Sequence, residues 1–230
     1  MSDTATPNDT PWFVQYTAFR VDPVWRRLTY AAREDGRESF AQLVDETDSI
    51  STWAYSTLGL KVGSDLLLWR RGIDPIAMQE MTGIMLQTGI GTYLEISHQL
   101  WGFTRSSNYT RRPTTQEQAI DLNERLTYLT VYPFTKTTEW HLMSRDARQG
   151  MMNEHMRIGH EYADVRQVLL YSTGLDDQEF VVAYEMEEMP RFTALVTALR
   201  DTEARRYTLR DTPIITGIHR PLRAALGLLG

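Results

Sequence analysis

Five histidines, eleven tyrosines and no cysteine bound the chemistry open to this 230-residue chain. Without thiols there are no thiolate metal sites, no iron–sulfur clusters and no cysteine nucleophile. The histidines are His98, His141, His155, His160 and His219, and none falls in an HExxH or other paired zinc spacing. His155 and His160 are five apart, which on a helix sets them about 140° from each other, a poor arrangement for one shared metal. A single histidine beside a large apolar cavity suits a haem better than zinc.

His155 lies in Arg148-Gln-Gly-Met-Met-Asn-Glu-His-Met-Arg-Ile-Gly159. Met151, His155 and Ile158 fall at i, i+4 and i+7, so the histidine shares an apolar helix face, with Gln149, Asn153 and Arg157 pointing elsewhere. The ordinary reading of such a residue is a core histidine satisfied by a carbonyl; the functional one is a ligand. His160 reads as a charge at the helix C-terminus. Upstream, alternation puts Leu126, Tyr128, Thr130 and Tyr132 on one strand face and Leu129 and Val131 on the other, with Pro133 ending the ladder and Lys136 in the loop beyond. A tyrosine facing a cavity beside an ammonium can donate protons or electrons, and it can equally be a packed strand end. Gln167 shares a face with Val165, Leu169 and Tyr171, where an amide needs partners or a wet cavity. Asp176-Asp177 reads as turn chemistry.

Elements of one order must position these groups, and the order occurs twice. In the first half it runs through a strand at 12–19, a helix at 38–44, a hairpin of 53–57 and 65–69, a helix at 75–88 capped by Asp74, and a strand at 97–103. The second half gives a strand at 126–132, a helix at 145–160 opened by Ser144, a hairpin of 165–171 and 179–185, a helix at 190–200 and a strand at 213–218. Tyr55-Ser-Thr57 and Tyr171-Ser-Thr173 even share a word. The expected class is α+β, two ferredoxin-like β-α-β-β-α-β repeats, packed face to face or joined into a barrel. The divisions are a disordered lead-in at 1–11, halves at 12–104 and 126–218, a polar connector at 105–125 and a tail at 219–230. Net charge is −6 and basic residues form only short pairs, which argues against nucleic acid. No apolar stretch is long enough to span a bilayer, no secretory leader is visible, and the lack of cysteine fits a reducing, cytoplasmic setting.

Taken together, Tyr132-Pro-Phe-Thr-Lys136, Trp140-His-Leu-Met143, Arg148…Met151-Met152…His155…Gly159…Tyr162, Ser172-Thr-Gly-Leu-Asp-Asp177 and Thr202-Glu-Ala-Arg-Arg206 resemble the chlorite dismutase and coproheme decarboxylase family, in the right order. The strong match covers 126–217. The resemblance implies a dimeric α+β barrel subunit, a homo-oligomer (usually a pentamer), and haem in the second half. It implies His155 as proximal iron ligand, Glu203 as the acid hydrogen-bonded to it, and Trp140 and Met151 beside the haem. Chlorite-degrading members carry an arginine where this chain has Gln167; Arg166 falls on the opposite strand face. With Tyr132 as redox-active residue and Lys136 assisting, Gln167 resembles one class of coproheme decarboxylases. The implied reaction uses hydrogen peroxide to convert two propionates of Fe-coproporphyrin III to vinyls, giving haem b. The spacing from His155 to Gln167 is one residue shorter than in glutamine-bearing relatives. The spacing from Tyr132 to His155 resembles the actinobacterial type, whose distal histidine has no counterpart near Thr115. Tyr109, Arg111 and Arg112 read either as propionate contacts or as exposed linker. The competing expectations are chlorite dismutation and a haem-binding or transfer protein with incidental peroxidase activity.

Overall fold

The computed structural model describes residues 10–105 and 119–230. The first half runs β1 (Phe13–Val21), α1 (Tyr30–Asp45), β2 (Ser51–Ser56), β3 (Leu66–Gly72), α2 (Pro75–Met85) and β4 (Leu94–Phe103). The second runs β5 (Tyr128–Lys136), the short α3 (Thr138–Leu142), α4 (Arg145–His160), β6 (Arg166–Tyr171), β7 (Phe180–Met186), α5 (Met189–Arg200), the short β8 (Thr208–Arg210) and β9 (Ile215–Arg220), followed by α6 (Leu222–Gly227).

Each half is the expected ferredoxin-like repeat. Strand order is β4-β1-β3-β2 in the first and β9-β5-β7-β6 in the second, all pairs antiparallel. The open edges then join. Tyr55 of β2 faces His219 of β9, and Phe103 of β4 faces Tyr171 of β6, so eight strands close into a barrel with β8 added beside β5. Closure removes the edges that each half alone would expose. After the two shared Tyr-Ser-Thr words, Gly59 and Gly174 take φ of 73° and 79°, values a side chain would resist, so the duplicated turns match in backbone as well as in spelling.

Alternation decides which side chains meet where. One face of every strand points into the barrel, where Val14, Tyr16, Tyr55, Leu67, Trp69, Leu129, Val131, Val168, Leu170, Val181 and Ile215 form a filled interior. One mouth is stopped by the end of the connector. Ala119 and Ile120 join the interior, and Arg125 lies 3.1 Å from Glu185 with both side chains buried. That carboxylate also accepts from the Tyr55 hydroxyl at 3.2 Å and the Leu126 N–H at 3.2 Å, while the guanidinium stacks on Trp53 and Trp69. Burial pushes Glu185 upward and Arg125 opposes it; removing either partner would strand a charge, at a cost of about 3–5 kcal/mol.

Several boundaries differ from the sequence expectation for physical reasons. Helix α1 starts eight residues before 38, because Thr29 caps it by accepting from the Ala32 N–H, and its first turns are too exposed to show apolar periodicity. Pro133 does not end its strand. It pairs with Val181 of β7 and lies between the last β9 pair, at Val131, and the first β8 pair, at Thr135, so its missing N–H coincides with a gap in the ladder. Lys136 is consequently the last residue of β5 rather than a loop residue. Residues 219–230 finish β9 and form α6, whose Ala225 and Leu226, with Leu229, enter the core of the first half. The lead-in through residue 9, Tyr109, Arg111, Arg112 and Thr115 lie outside the described residues. Among the described residues no helix is long and apolar enough to cross a membrane.

Candidate active site

The outer face of the second half-sheet carries Thr130, Tyr132 and Phe134 from β5, Gln167, Leu169 and Tyr171 from β6, and Phe180, Val182 and Tyr184 from β7. Period-two alternation brings these nine to one surface. Helix α4 stands opposite. It begins where Ser144 accepts from the Ala147 N–H, and it buries none of its residues. Between helix and sheet lies a cavity of about 540 Å³, within the range of ligand and cofactor sites. Met152, His155, Met156 and Gly159 line it from α4, and a Cβ built at Gly159 would meet nothing within 4 Å.

Five of the seven residues singled out from sequence line this one cavity: Tyr132, Lys136, Trp140, His155 and Gln167. Met151 does not. At 100° per residue it falls beside the inward stripe of Met152, His155, Met156 and Gly159, one position off the face. Glu203 does not either. It opens a 3-10 turn, pairs with Arg206 three residues on at 3.0 Å, and leaves Ala204 and Arg205 to face the cavity. The expected hydrogen bond from His155 to Glu203 is therefore not made; the Glu203 N–H donates to Glu154 Oε2 at 3.3 Å instead.

His155 Nδ1 is buried with no hydrogen-bond partner. Desolvation, reinforced by the Lys136 ammonium and opposed by Glu154, lowers its pKa to about 4. The ring is neutral at pH 7, the form that binds a metal. A satisfied core histidine would not look like this. Lys136 is also desolvated: burial and Arg205 bring it down to about 8 against the opposing pull of Glu179. Its Nζ lies 3.3 Å from Thr208 Oγ1, 3.4 Å from the Ala204 carbonyl and 4.5 Å from the Trp140 ring centre. No carboxylate pairs with that Nζ among the described residues. Tyr132 is pushed up by burial and keeps its proton. Gln167 faces Tyr184 across the β6–β7 ladder, while Arg166, on the other strand face, donates to the Glu124 carbonyl at 3.1 Å.

Reasoning from sequence missed the cationic wall. Arg105, Arg148, Arg200 and Arg205 line the cavity together with Lys136, and Asp211 is the acid facing them. Asp211 engages Arg205 at 2.7 Å and Arg200 at 3.8 Å, whereas Arg148 Nε is buried without a partner. His141 also lines the space, oriented by Glu179 at 2.8 Å. Strand alternation from Phe180 could have found Tyr184; nothing local marks Arg105 or Arg200, which arrive from distant segments.

An apolar cavity with a neutral imidazole on one wall, its Nδ1 unpartnered, and an excess of cations over the one acid around it fits an anionic, metal-bearing ligand such as an iron porphyrin. The comparisons with known proteins agree. The family model described as chlorite dismutase matches residues 32–220. The coproheme decarboxylase of Mycolicibacterium smegmatis is 28% identical over 91% of this chain and 90% of its own length. The chlorite dismutase of Ideonella dechloratans is 25% identical, covering 91% of this chain and 77% of that protein. The solved structure of chlorite dismutase from Candidatus Nitrospira defluvii in complex with imidazole superposes with a TM-score of 0.86, at 25% identity, over 94% of both chains.

Proposed function

The chain belongs to the chlorite dismutase family, and within that family we propose that it is a coproheme decarboxylase. Its substrate is Fe-coproporphyrin III and its co-substrate hydrogen peroxide. Each propionate, one hydrogen peroxide and one proton become a vinyl group, carbon dioxide and two waters; two rounds yield haem b. The iron porphyrin supplies the redox chemistry when bound, and the protein supplies orientation and electrostatics.

The observation that carries this reading is the presence of Tyr132, Lys136 and His155 around one cavity whose other charged lining is mostly cationic. His155 presents a neutral imidazole to the iron. Lys136, with no carboxylate of its own, holds a propionate by a charge-assisted contact, and Arg148 Nε offers a second unpaired donor. Tyr132 keeps its phenolic proton until it is oxidised, and the resulting tyrosyl radical takes a hydrogen atom from the propionate β-carbon. Gln167 stands at the place where chlorite-degrading relatives resemble one another in carrying arginine, and Arg166 is directed away from the cavity. This favours decarboxylation over chlorite dismutation. A homo-oligomer, a pentamer by resemblance, and a cytoplasmic setting complete the proposal.

The test is anaerobic loading with Fe-coproporphyrin III and titration with hydrogen peroxide, following porphyrin mass. Two successive losses of a carboxyl and a hydrogen are expected. Tyr132→Phe should abolish conversion while porphyrin binding persists, and His155→Ala should remove the histidine-ligated spectrum. Rapid oxygen release from chlorite would transfer the chain to chlorite dismutation. Porphyrin binding without mass change would make it a haem carrier.

A further inference from the structure

Each round of the reaction above consumes one proton, and none of the residues given a role there can be its source. Lys136 holds a propionate, Gln167 does not titrate, His155 presents a neutral ring to the iron, and Tyr132 recovers from the substrate the hydrogen it lost. Asp211 is tied to Arg205 and Arg200. His141 stands apart from these. Its ring lines the cavity, yet 45% of its side chain is open to solvent, so it touches both phases. Its Nε2 lies 2.8 Å from Glu179 Oε1. The other oxygen of that carboxylate accepts from the Lys136 N–H at 2.8 Å. The Glu179 main chain is tied on both sides as well: its N–H donates to the Phe134 carbonyl at 3.3 Å, and its carbonyl accepts from the Ser172 N–H at 2.8 Å. A carboxylate fixed in this way keeps one histidine proton on Nε2 and leaves Nδ1 as the nitrogen that gains and loses a proton. A plain staple between α3 and the hairpin would need the ion pair but not a ring that reaches the cavity.

We propose that His141 is the proton donor of the site and Glu179 its positioning residue, the pair passing protons from solvent into the cavity. The proton closes the balance of each round. Two electrons pass from the propionate to hydrogen peroxide, whose O–O bond breaks as the carboxylate leaves as carbon dioxide. Of the four hydrogens in the two waters formed, two arrive with the peroxide and one leaves the propionate β-carbon by way of Tyr132. The fourth is the proton from His141 Nδ1, and the neutral ring is recharged from solvent through its exposed edge. The other charged groups around this space are Lys136 of β5, Arg105 after β4, Arg148 of α4, and Arg205 with Asp211 before β9. Carboxylates of a bound substrate add negative charge among these cations, and that charge favours an imidazolium. The use made of the proton rests on the decarboxylase reading; the response of His141 to a bound carboxylate does not.

The experiment uses the full chain with nitrogen-15 in its five histidines, titrated with acid and followed by solid-state NMR, with and without metal-free coproporphyrin III. This probe carries the carboxylates and supports no turnover. Nitrogen shifts separate the charged ring from each neutral tautomer, and His141→Gln identifies the signal. The neutral ring should carry its hydrogen on Nε2, and Glu179→Ala should release it from that single tautomer. The porphyrin should raise the midpoint of His141 protonation by about one pH unit or more, the effect of a nearby carboxylate. An unmoved midpoint in a chain that binds the porphyrin overturns the proposal, and this measurement needs no variant that might fold poorly. With iron coproporphyrin and peroxide, His141→Gln should slow conversion by about a hundredfold, the usual worth of a general acid. Conversion at full speed in that variant overturns the proposal, as does an equal loss in His160→Gln, the other lining histidine outside the iron-ligand role. Failure of the coproheme titration with the NMR response intact would sink the decarboxylase reading and leave His141 as a proton carrier at a carboxylate site.

Discussion

Helices α1 and α4 are both sixteen residues long and occupy equivalent places in the two halves, yet only one of them is packed. Helix α1 buries Phe40, Ala41 and Val44 against its sheet. Around them Trp25, Met78, Met81, Met85, Ile90 and Leu94 fill the space, and the C-terminal segment crosses from the other end of the chain to add Leu226 of α6 and Leu229 beyond it. The Trp25 indole N–H even donates to the last carbonyl, Gly230, at 2.8 Å. Helix α4 buries nothing, and its Met152, His155 and Met156 face open volume. Duplication thus gave two sandwiches of helix on sheet, one closed into a core and one held apart. The packed half supplies stability, and the hollow half keeps a site that only a ligand completes.

The widest separation between the halves should appear in core methionines. Met78→Ala, at a fully buried position, should cost about 2–5 kcal/mol in urea or thermal denaturation. Met152→Ala should cost less than about 1 kcal/mol in the porphyrin-free chain, since Met152 lines the cavity and is not part of a packed core. Equal losses would mean that the cavity collapses in solution and that the contrast between halves is not real.

Acid should find the hollow half next. His155 binds protons less readily folded than unfolded, so between about pH 6.5 and pH 4 the unfolded state holds more protons and stability falls as pH falls. The porphyrin-free chain should lose on the order of 2 kcal/mol over that window, discounted for the ring's partial exposure, and His155→Gln should not. Lys136 works in the alkaline window. Its charged form is disfavoured when folded, so its penalty is present below about pH 8 and relieved as pH rises toward its unfolded value. Porphyrin binding should weaken above about pH 8 as that ammonium is lost, an effect that Lys136→Met would remove. A binding curve flat across pH 8 in the unaltered protein would break the assignment of Lys136 to a carboxylate.

The smallest effect is also the most direct comparison, because it is the same substitution in the two equivalent helices. Gly36→Ala in α1 brings a Cβ to 2.9 Å from the buried Trp25 ring and should destabilise by about 1 kcal/mol, the overpacking outweighing the gain in helix propensity. Gly159→Ala in α4 meets open space and should stabilise by about 1 kcal/mol. Differential scanning calorimetry of the two variants would read the opposite signs, and like signs would contradict the packed-versus-hollow description.

Much of the positioning was legible because it is local. Ser144 as cap, α4 from Arg145 to His160, Asp74 before Pro75, and the alternation that puts Tyr132 and Gln167 on cavity-facing strand surfaces all follow from neighbouring residues. Met151 was misplaced by one position because Met151 and Met152 are both apolar, and a sequence does not say which of two adjacent faces meets the sheet. The start of α1 escaped because its first turns face solvent. The connector looked wholly polar because Arg125 gives no hint, in sequence, that it will be buried against Glu185 and stacked on two tryptophans.

By itself the sequence determined the repeated order of elements, the strand faces and the absence of thiol chemistry, which rest on periodicity and residue type and act within a few residues. The seven candidate residues came from these patterns together with the family resemblance, and five of them line the cavity. Only the tertiary structure decided that two sheets close into one barrel, that the chain's end packs the first half, that Glu203 turns toward Arg206, and that Arg105, Arg148 and Arg200 meet around one space. A cavity is the volume left between surfaces brought together from distant parts of the chain, and no local pattern encodes what fails to fill it.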